Sequence, residues 1–245
     1  MTVVIYGKNR GKTDAGWLQS QHTFSFGSYN DPSNHYFGVL RVINEDIVQP
    51  SQGFGTHSHQ DMEIVSIVLK GQLEHKDSLG NGSTIRPGDV QRMTAGTGIE
   101  HSEFNPSNSE LAHFIQIWIR PKQVGLPPSY EQKAFLPTPL KNQWALVGSE
   151  DGREGSVMIH QDLNLYQTEL EAEQTLSIPI LENRMAWLQV VTGNVHINHH
   201  SFSEGDGIGL ICSTDYPIIA KSKATLLLFE MAYSDRVKVA QNIHL

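Results

Sequence analysis

The most informative stretch of the sequence lies at residues 55–71 and reads GTHSHQDMEIVSIVLKG. Its second part, EIVSIVLK at residues 63–70, is rich in β-branched residues and predicts a strand, and Gly71 begins the turn that follows. Its first part carries His57 and His59, two residues apart. On a strand, residues at this spacing point to the same face, so the two imidazoles can approach one ion.

A second short pattern, His101-Ser102-Glu103, repeats this spacing with an imidazole and a carboxylate. Two such strands facing each other would present three imidazoles and one carboxylate to a single ion. That donor set suits a divalent first-row transition metal. The sequence therefore predicts metal-centred chemistry, with most of the remaining chain serving as scaffold.

Short apolar runs separated by Gly, Pro, Asn and Asp dominate the rest of the chain, and helical periodicity is scarce. The runs recur at a spacing typical of an antiparallel sandwich or barrel. Residues 121–130 hold three prolines and one glycine, which indicates a connector between two units. Residues 234–240 fit either a short helix or a strand.

The second unit reads as a trimmed copy of the first. The strand that ends at Gly193 echoes the strand that ends at Gly71, and a later turn at residues 204–206 echoes the one at residues 87–89. We therefore predict an all-β protein of two tandem barrels packed together. The first unit is expected to span residues 1–130 with the metal site, and the second residues 131–245.

The composition bounds the class of protein. Of the 245 residues, 38% are apolar and 18% charged, which predicts a folded chain. A net charge of −8 argues against an extended nucleic-acid surface, since such a surface needs Lys and Arg to neutralise phosphates. The single cysteine, Cys212, excludes an intrachain disulfide, fits a reducing compartment and is expected to be a small buried residue on a strand. No run approaches the ~20 apolar residues of a membrane span, so we expect a cytoplasmic protein.

Three stretches resemble the pirin family of the cupin superfamily. They are GTHSHQDME at residues 55–63, PGDVQRMTAGTGIEHSE at residues 87–103 and TFSFGSY at residues 23–29. Many relatives have His-Pro-His-Arg in the first motif, where this chain has Ser58 and Gln60 instead of the proline and arginine. The resemblance implies a two-cupin chain with one metal in the amino-terminal barrel. The ligands that it carries over are His57, His59, His101 and Glu103.

The same resemblance implies an activity. Pirins typically hold iron, and bacterial members are linked to quercetin 2,3-dioxygenase activity. We therefore expect an enzyme that cleaves flavonols such as quercetin with O2 and uses one divalent metal. The expected ion is Fe(II), with Mn, Co, Ni, Cu or Zn as alternatives. Glu103 would be both a ligand and the nearest base for the substrate hydroxyl, and so the catalytic residue.

Two other classes of function remain open at this stage. A pirin can be a non-catalytic metal-binding regulatory protein that acts on a protein partner. A cupin can also be an isomerase or another non-redox enzyme, which would work with zinc or manganese. Oxygen consumption with flavonols discriminates between these alternatives and the dioxygenase.

The second half lacks the metal-binding pattern. Its positions equivalent to the four ligands are occupied by side chains that cannot bind a metal, namely Pro179, Leu181, Ile218 and Ala220. The second barrel is therefore predicted to be degenerate and without metal. We also expect a monomer, because the two barrels can cover each other.

The remaining candidates have structural alternatives. Glu63 stands at the usual cupin glutamate position, but the resemblance assigns that coordination to Glu103, so Glu63 is expected to be structural. His22, His35 and His75 are expected at the surface or in loops, and Trp118, Trp144 and Trp187 in the core. Four phenylalanines either line a pocket near the metal or pack in a β core, namely Phe24, Phe26, Phe54 and Phe104.

Overall fold

The computed structural model describes residues 2–135, 140–178, 183–211, 216–234, 237–238 and 242–243. Within these ranges the regular structure is almost entirely β, with short 3₁₀ turns at Gly7–Asn9 and Arg153–Gly155 and no α-helix. No helix in this part of the chain has the length and apolarity needed to cross a membrane. The predicted all-β class is therefore confirmed.

The strands of the first half and the amino terminus are β1 Thr2–Ile5, β2 Gly11–Asp14, β3 Leu18–His22, β4 Tyr36–Phe37, β5 Leu40–Val48, β6 Gly53–His59, β7 Glu63–Lys70, β8 Leu73–Asp77, β9 Gly82–Ile85, β10 Asp89–Thr94, β11 Ile99–Phe104, β12 Ala112–Ile119 and β13 Ser129–Ala134. Those of the second half are β14 Ala145–Ser149, β15 Val157–Met158, β16 Leu163–Leu170, β17 Thr175–Ser177, β18 Arg184–Thr192, β19 Asn194–Ile197, β20 His200–Ser203, β21 Gly207–Ile211, β22 Pro217–Ala220, β23 Ala224–Ala232, β24 Val237–Lys238 and β25 Asn242–Ile243.

Each half pairs a large sheet with a small one. In the first half the large sheet has the order β13-β10-β7-β12-β5-β3-β2, with β4 attached to β5 and β24 attached to β4, and the small sheet has the order β6-β11-β8-β9. In the second half the orders are β15-β14-β16-β23-β18-β21-β1-β25 and β17-β22-β19-β20. The pairs are antiparallel, except for β14 with β15. This is the predicted arrangement of two tandem cupin sandwiches.

The two large sheets share one hydrophobic core. Strand β12 contributes to this core with one face, which carries Ile115 and Ile117, while Phe114 on its other face points to the interior of the first sandwich. A strand buried on both faces reads as a nearly continuous apolar run. At the centre of the shared core Trp187 packs against Phe24 and Phe37, each at 5.2 Å between ring centroids.

The interiors of the two sandwiches differ in polarity. The second is filled by apolar side chains from both of its sheets, namely Ala186, Leu188, Val190, Val195, Ile197, Ile208, Leu226, Leu228, Ile218 and Ala220. The first has apolar ends and a buried polar middle, which consists of Asn44, Asp46, Ser66, His101, Glu103 and Gln116. Burying polar groups is costly unless they are paired or bind a ligand, so this middle region is the candidate site.

Strands also cross between the halves. Strand β1, at the amino terminus, pairs with β21 of the second half, and β24, near the carboxyl terminus, pairs with β4 of the first. Strand β13 runs past residue 130 and pairs with β10 along its full length. The boundary between residues 1–130 and 131–245 stays a prediction, and the exchanged strands tie the two parts together.

Two glycines support the predicted duplication. Gly71 and Gly193 close equivalent strands, and both adopt a left-handed backbone, with φ of +72° and +81°. A Cβ atom on either residue would collide with a backbone carbonyl of the neighbouring turn. Of the four positions predicted to lack ligands, Ile218 and Ala220 are buried, while Pro179 and Leu181, like Cys212, lie outside the described residues.

Candidate metal centre

The two motifs lie on neighbouring strands of the small sheet. His101 on β11 stands directly opposite His57 on β6, and Ile99 stands opposite His59. The register shifts between His101 and Glu103, so the ladder is irregular at this point. Irregularities of this kind commonly occur beside active sites, where they aim side chains.

The structure brings the three predicted imidazoles together. The ring centroids of His57 and His101 are 4.5 Å apart, and those of His59 and His101 are 4.9 Å apart. Each of these histidines offers one nitrogen, and the three nitrogens lie within 4.8 Å of one another. Glu103 is adjacent, grouped within the same distance with His101 and His75.

The imidazole hydrogen bonds favour metal binding. The Nδ1 of His57 lies 2.8 Å from the carbonyl oxygen of Gly55, which holds the proton on Nδ1 and leaves the Nε2 lone pair available. The Nε2 of His101 is buried and, within the described residues, has no hydrogen-bond partner. An unpaired buried nitrogen is costly, so a divalent cation fits this set of residues.

The electrostatics keep two of these imidazoles, those of His59 and His101, neutral. Burial lowers the pKa of His59 to about 4, with a smaller contribution from the charge of His57. Burial also lowers the pKa of His101 to about 2, and the neighbouring histidines add to this effect. Because only a neutral imidazole can donate a lone pair, both side chains are ready to bind a metal at neutral pH.

Glu103 is buried in the polar middle of the sandwich. Its Oε2 accepts a hydrogen bond from Nε2 of Gln116 at 2.7 Å, and its Oε1 accepts one from Oγ of Ser66 at 3.5 Å. Burial raises the pKa of Glu103 to about 7, although these two hydrogen bonds act in the opposite direction. The carboxyl group therefore holds its proton more tightly than a glutamate in water does.

The expectations for His22 and His75 are wrong, because both are buried. His75 lies on β8, with its Nδ1 3.4 Å from Nδ1 of His101 and its Nε2 3.0 Å from Oδ2 of Asp77. A signal was present in the sequence, since His75-Lys76-Asp77 has the same spacing as the two metal motifs. Its burial depends on which strand becomes the neighbour of β11, which local patterns do not specify.

Aromatic side chains surround the open side of the centre. Trp118, expected in the core, is half-buried, and its ring packs against His59 at 4.9 Å and against Phe26 at 5.4 Å. Phe54 lies 6.5 Å from His57. Trp144 is also half-buried, whereas Trp187 is fully buried as expected.

A cavity of about 210 Å³ reaches Gln116, and none of the four predicted ligands lines it. Phe26, Phe54 and Gln116 line it, and Gln116 connects it to Glu103. Two of the four candidate phenylalanines therefore line a pocket. The other two do not line it, since Phe24 packs in the core between the large sheets and Phe104 is exposed.

Glu63 lies apart from the cluster of imidazoles. Its Oε2 accepts hydrogen bonds from both the backbone N and Nδ1 of His160, each at 3.2 Å. His160 belongs to the second half, so this contact joins the two halves. The geometry agrees with the expected structural role of Glu63.

The fold and this site define a tandem cupin with a candidate metal centre in its first sandwich. A family model described as Pirin matches residues 5–119, and one described as Quercetinase C-terminal cupin domain matches residues 146–231. The chain belongs to the pirin family.

Individual relatives cover most of the chain. It is 46% identical over 222 residues to a quercetin 2,3-dioxygenase of Escherichia coli, covering 91% of this chain and 95% of that protein. It is 36% identical to a pirin-like protein of Caulobacter vibrioides, covering 91% and 96%. Among solved structures, bacterial pirin YhhW from Escherichia coli in complex with nickel(II) is similar, with a TM-score of 0.89, 44% identity, and coverage of 95% and 99%.

Proposed function

We propose that this protein is a metal-dependent dioxygenase that cleaves a flavonol or a similar enol-bearing aromatic compound with O2. One observation carries the proposal, namely that His101, whose buried Nε2 has no hydrogen-bond partner among the described residues, is grouped with His57 and His59 beside the buried carboxyl group of Glu103. The name of the Escherichia coli relative supports the reaction class. It does not favour the non-catalytic alternative.

The proposed ligands are His57, His59, His101 and Glu103. Three imidazoles and a carboxylate suit Fe(II), and the same set accepts Mn, Co, Ni, Cu or Zn. The solved relative with nickel(II) supports a divalent ion without specifying which one this chain holds. When bound, the metal supplies a Lewis acid and, for a redox-active ion such as Fe(II), a route for electrons between substrate and O2.

The side chains around the centre are suited to an aromatic substrate. A cavity of about 150 Å³ can hold a benzene ring, so the cavity beside Gln116 is large enough for one ring of a flavonol. Phe26 and Phe54 provide its apolar walls. His57 and His59 are only half-buried, whereas His101 is buried, so the substrate would approach from the side of the first two.

Glu103 is the proposed base. Its carboxylate oxygens would take the proton of the substrate hydroxyl, because a carboxyl oxygen of Glu103 lies within 4.8 Å of a ring nitrogen of His101. Gln116, by donating to Oε2, orients the carboxylate between the cavity and the histidines. A monomeric state and a cytoplasmic location remain predictions.

The variant His57→Ala tests this proposal. Loss of one imidazole should weaken metal binding by more than about 100-fold, since even residues behind the ligands contribute about 10–100-fold. Flavonol-dependent O2 consumption should be lost in parallel. The measurements are elemental analysis of the freshly purified protein and an oxygen electrode with a panel of flavonols under aerobic and anaerobic conditions.

His196→Ala is the matched control, because His196 lies on β19 of the second half and hydrogen-bonds to Ser201. This variant should keep both metal and activity. Full activity of metal-depleted His57→Ala protein would rule the proposal out. Turnover that is unchanged in the absence of O2 would instead indicate a non-redox cupin enzyme.

A further inference from the structure

We propose that Asp77 and His75 form a hydrogen-bond relay that fixes the tautomer and the orientation of His101, so that its Nε2 faces the metal. The proposal rests on the metal centre of the proposed function and adds two positioning residues behind the ligands. Strand β8 carries both residues, and it pairs with β11 so that Asp77 stands opposite His101 and His75 opposite Glu103. The relay is therefore part of the same sheet as the ligands.

The relay begins at the carboxylate of Asp77. Each hydrogen-bond partner of this carboxylate, His75 included, has to act as a donor. Its Oδ1 accepts from the backbone N of Leu79 at 3.0 Å and of Asn81 at 3.1 Å. Its Oδ2 accepts from Nδ2 of Asn81 at 3.0 Å and lies 3.0 Å from Nε2 of His75. An ionised carboxylate only accepts hydrogen bonds, so His75 carries its proton on Nε2.

The second step follows from the chemistry of a neutral imidazole, which has one N–H and one bare nitrogen. With its proton on Nε2, His75 presents a bare Nδ1 to the Nδ1 of His101, 3.4 Å away. The Nδ1 of His101 must then carry the proton and donate. The lone pair of His101 is left on Nε2, the same nitrogen that is buried without a partner among the described residues.

Packing holds the relay in place. The ring of Tyr130 stacks on that of His75, with centroids 4.8 Å apart and an angle of 29° between the planes. The hydroxyl of Tyr130 is itself held by Ser83 and by Oε1 of Gln132. His75 and Asp77 have side chains that are completely buried, so water does not compete for these hydrogen bonds.

The variant Asp77→Asn tests the relay. The asparagine oxygen must remain at Oδ1 to accept the two backbone N–H groups, so its amide NH₂ faces His75. This donor moves the proton of His75 to Nδ1, and that in turn moves the proton of His101 to Nε2. The same exchange of aspartate for asparagine in a catalytic triad preserves the geometry while imposing the wrong tautomer.

The first measurement is long-range ¹H–¹⁵N NMR of the metal-free protein, which distinguishes protonated from bare ring nitrogens. We expect a bare Nε2 on His101 in the unmodified protein and a protonated Nε2 in Asp77→Asn. The second is a titration with Ni(II), in which Asp77→Asn should bind about 10–100-fold more weakly. A protonated Nε2 on His101 in the unmodified protein would overturn the proposal, whether or not the variant folds.

A second variant separates the relay from mere packing. In His75→Gln, the amide NH₂ can donate to Asp77 and its oxygen can accept from Nδ1 of His101, which keeps the ligand tautomer. The relay therefore predicts stronger Ni(II) binding by His75→Gln than by Asp77→Asn. A packing role predicts the reverse order, because His75→Gln removes a buried stacked ring while Asp77→Asn is isosteric.

Asp151→Asn is the control for losing a carboxylate in a turn, since Asp151 accepts a hydrogen bond from the backbone N of Arg153 far from the centre. It should leave the tautomers and the Ni(II) affinity unchanged. If the unmodified protein fails to bind Ni(II), the proposed metal centre fails. The NMR result still decides on the relay in that case, so the two failures are distinguishable.

Discussion

Asp46 carries the clearest electrostatic cost in the first sandwich. Its side chain is almost fully buried, and burial raises its pKa from 3.8 to about 7. The charges of Glu103 and Glu45 act in the same direction, while a hydrogen bond from Ser20 opposes them. The folded protein therefore binds the Asp46 proton more tightly than the unfolded chain does, and stability falls as the pH rises between about 4 and 7.

Asp46→Asn should remove this pH-dependent cost. An amide cannot ionise, so the variant should be more stable than the unmodified protein at pH 8, by up to about 4 kcal/mol. The difference should shrink toward pH 4, where Asp46 is protonated in the folded protein and only about half ionised in the unfolded chain. Urea denaturation of the metal-free proteins at pH 5 and pH 8 measures it. A stability difference that is the same at both pH values would contradict the assignment.

Strand β6 positions two of the proposed ligands, and its close contact with β11 depends on Gly53. A Cβ atom at Gly53 would overlap the carbonyl oxygen of Glu103 and lie 2.6 Å from Cα of Phe104. Two residues along the same strand, a Cβ atom at Gly55 would meet nothing within 4 Å. The strand thus offers a pair of glycines that differ in the space beside them, and Gly55→Ala keeps the carbonyl oxygen that accepts from Nδ1 of His57.

Gly53→Ala should separate β6 from β11, which lowers the free energy of unfolding by about 1–3 kcal/mol. It should also weaken Ni(II) binding, because His57 and His101 face each other across these two strands. Gly55→Ala should change stability by less than about 1 kcal/mol and leave Ni(II) binding intact. Denaturant titration and Ni(II) titration of both variants test this, and equal effects of the two substitutions would refute it.

The two sandwiches are expected to unfold as one cooperative unit. Their large sheets share a core around Trp187, and β1 and β24 each pair in the sheet of the opposite half. A perturbation in the second half should therefore reach the metal centre through the shared core. This property belongs to the molecule and to neither sandwich alone.

Trp187→Ala should destabilise the whole molecule by about 3–5 kcal/mol, since the substitution opens a cavity between Phe24 and Phe37. Hydrogen exchange followed by mass spectrometry should show faster exchange in both β7 and β23. Met158→Ala, at a side chain with 40% exposure, serves as the control. Faster exchange confined to the second half would show that the sandwiches unfold independently.

Local patterns predicted the elements that carry the site. Strand β7 begins at Glu63 and ends at Lys70, as the run of β-branched residues indicates. The spacing of the histidine motifs placed their side chains on one face of a strand, and the structure brings these side chains together. These features could be predicted because alternation along a strand and the turn at Gly71 depend only on neighbouring residues.

The amino-acid sequence by itself determined the all-β class, the duplication and the identity of the residues proposed to bind the metal. The tertiary structure decided which strands became neighbours, and so placed His75 and Asp77 behind His101 and Gln116 beside Glu103. It also exchanged β1 and β24 between the halves. The reason is physical, because the periodicity of a strand specifies which residues share a face, whereas burial and hydrogen-bond partners depend on pairings between segments far apart in the chain.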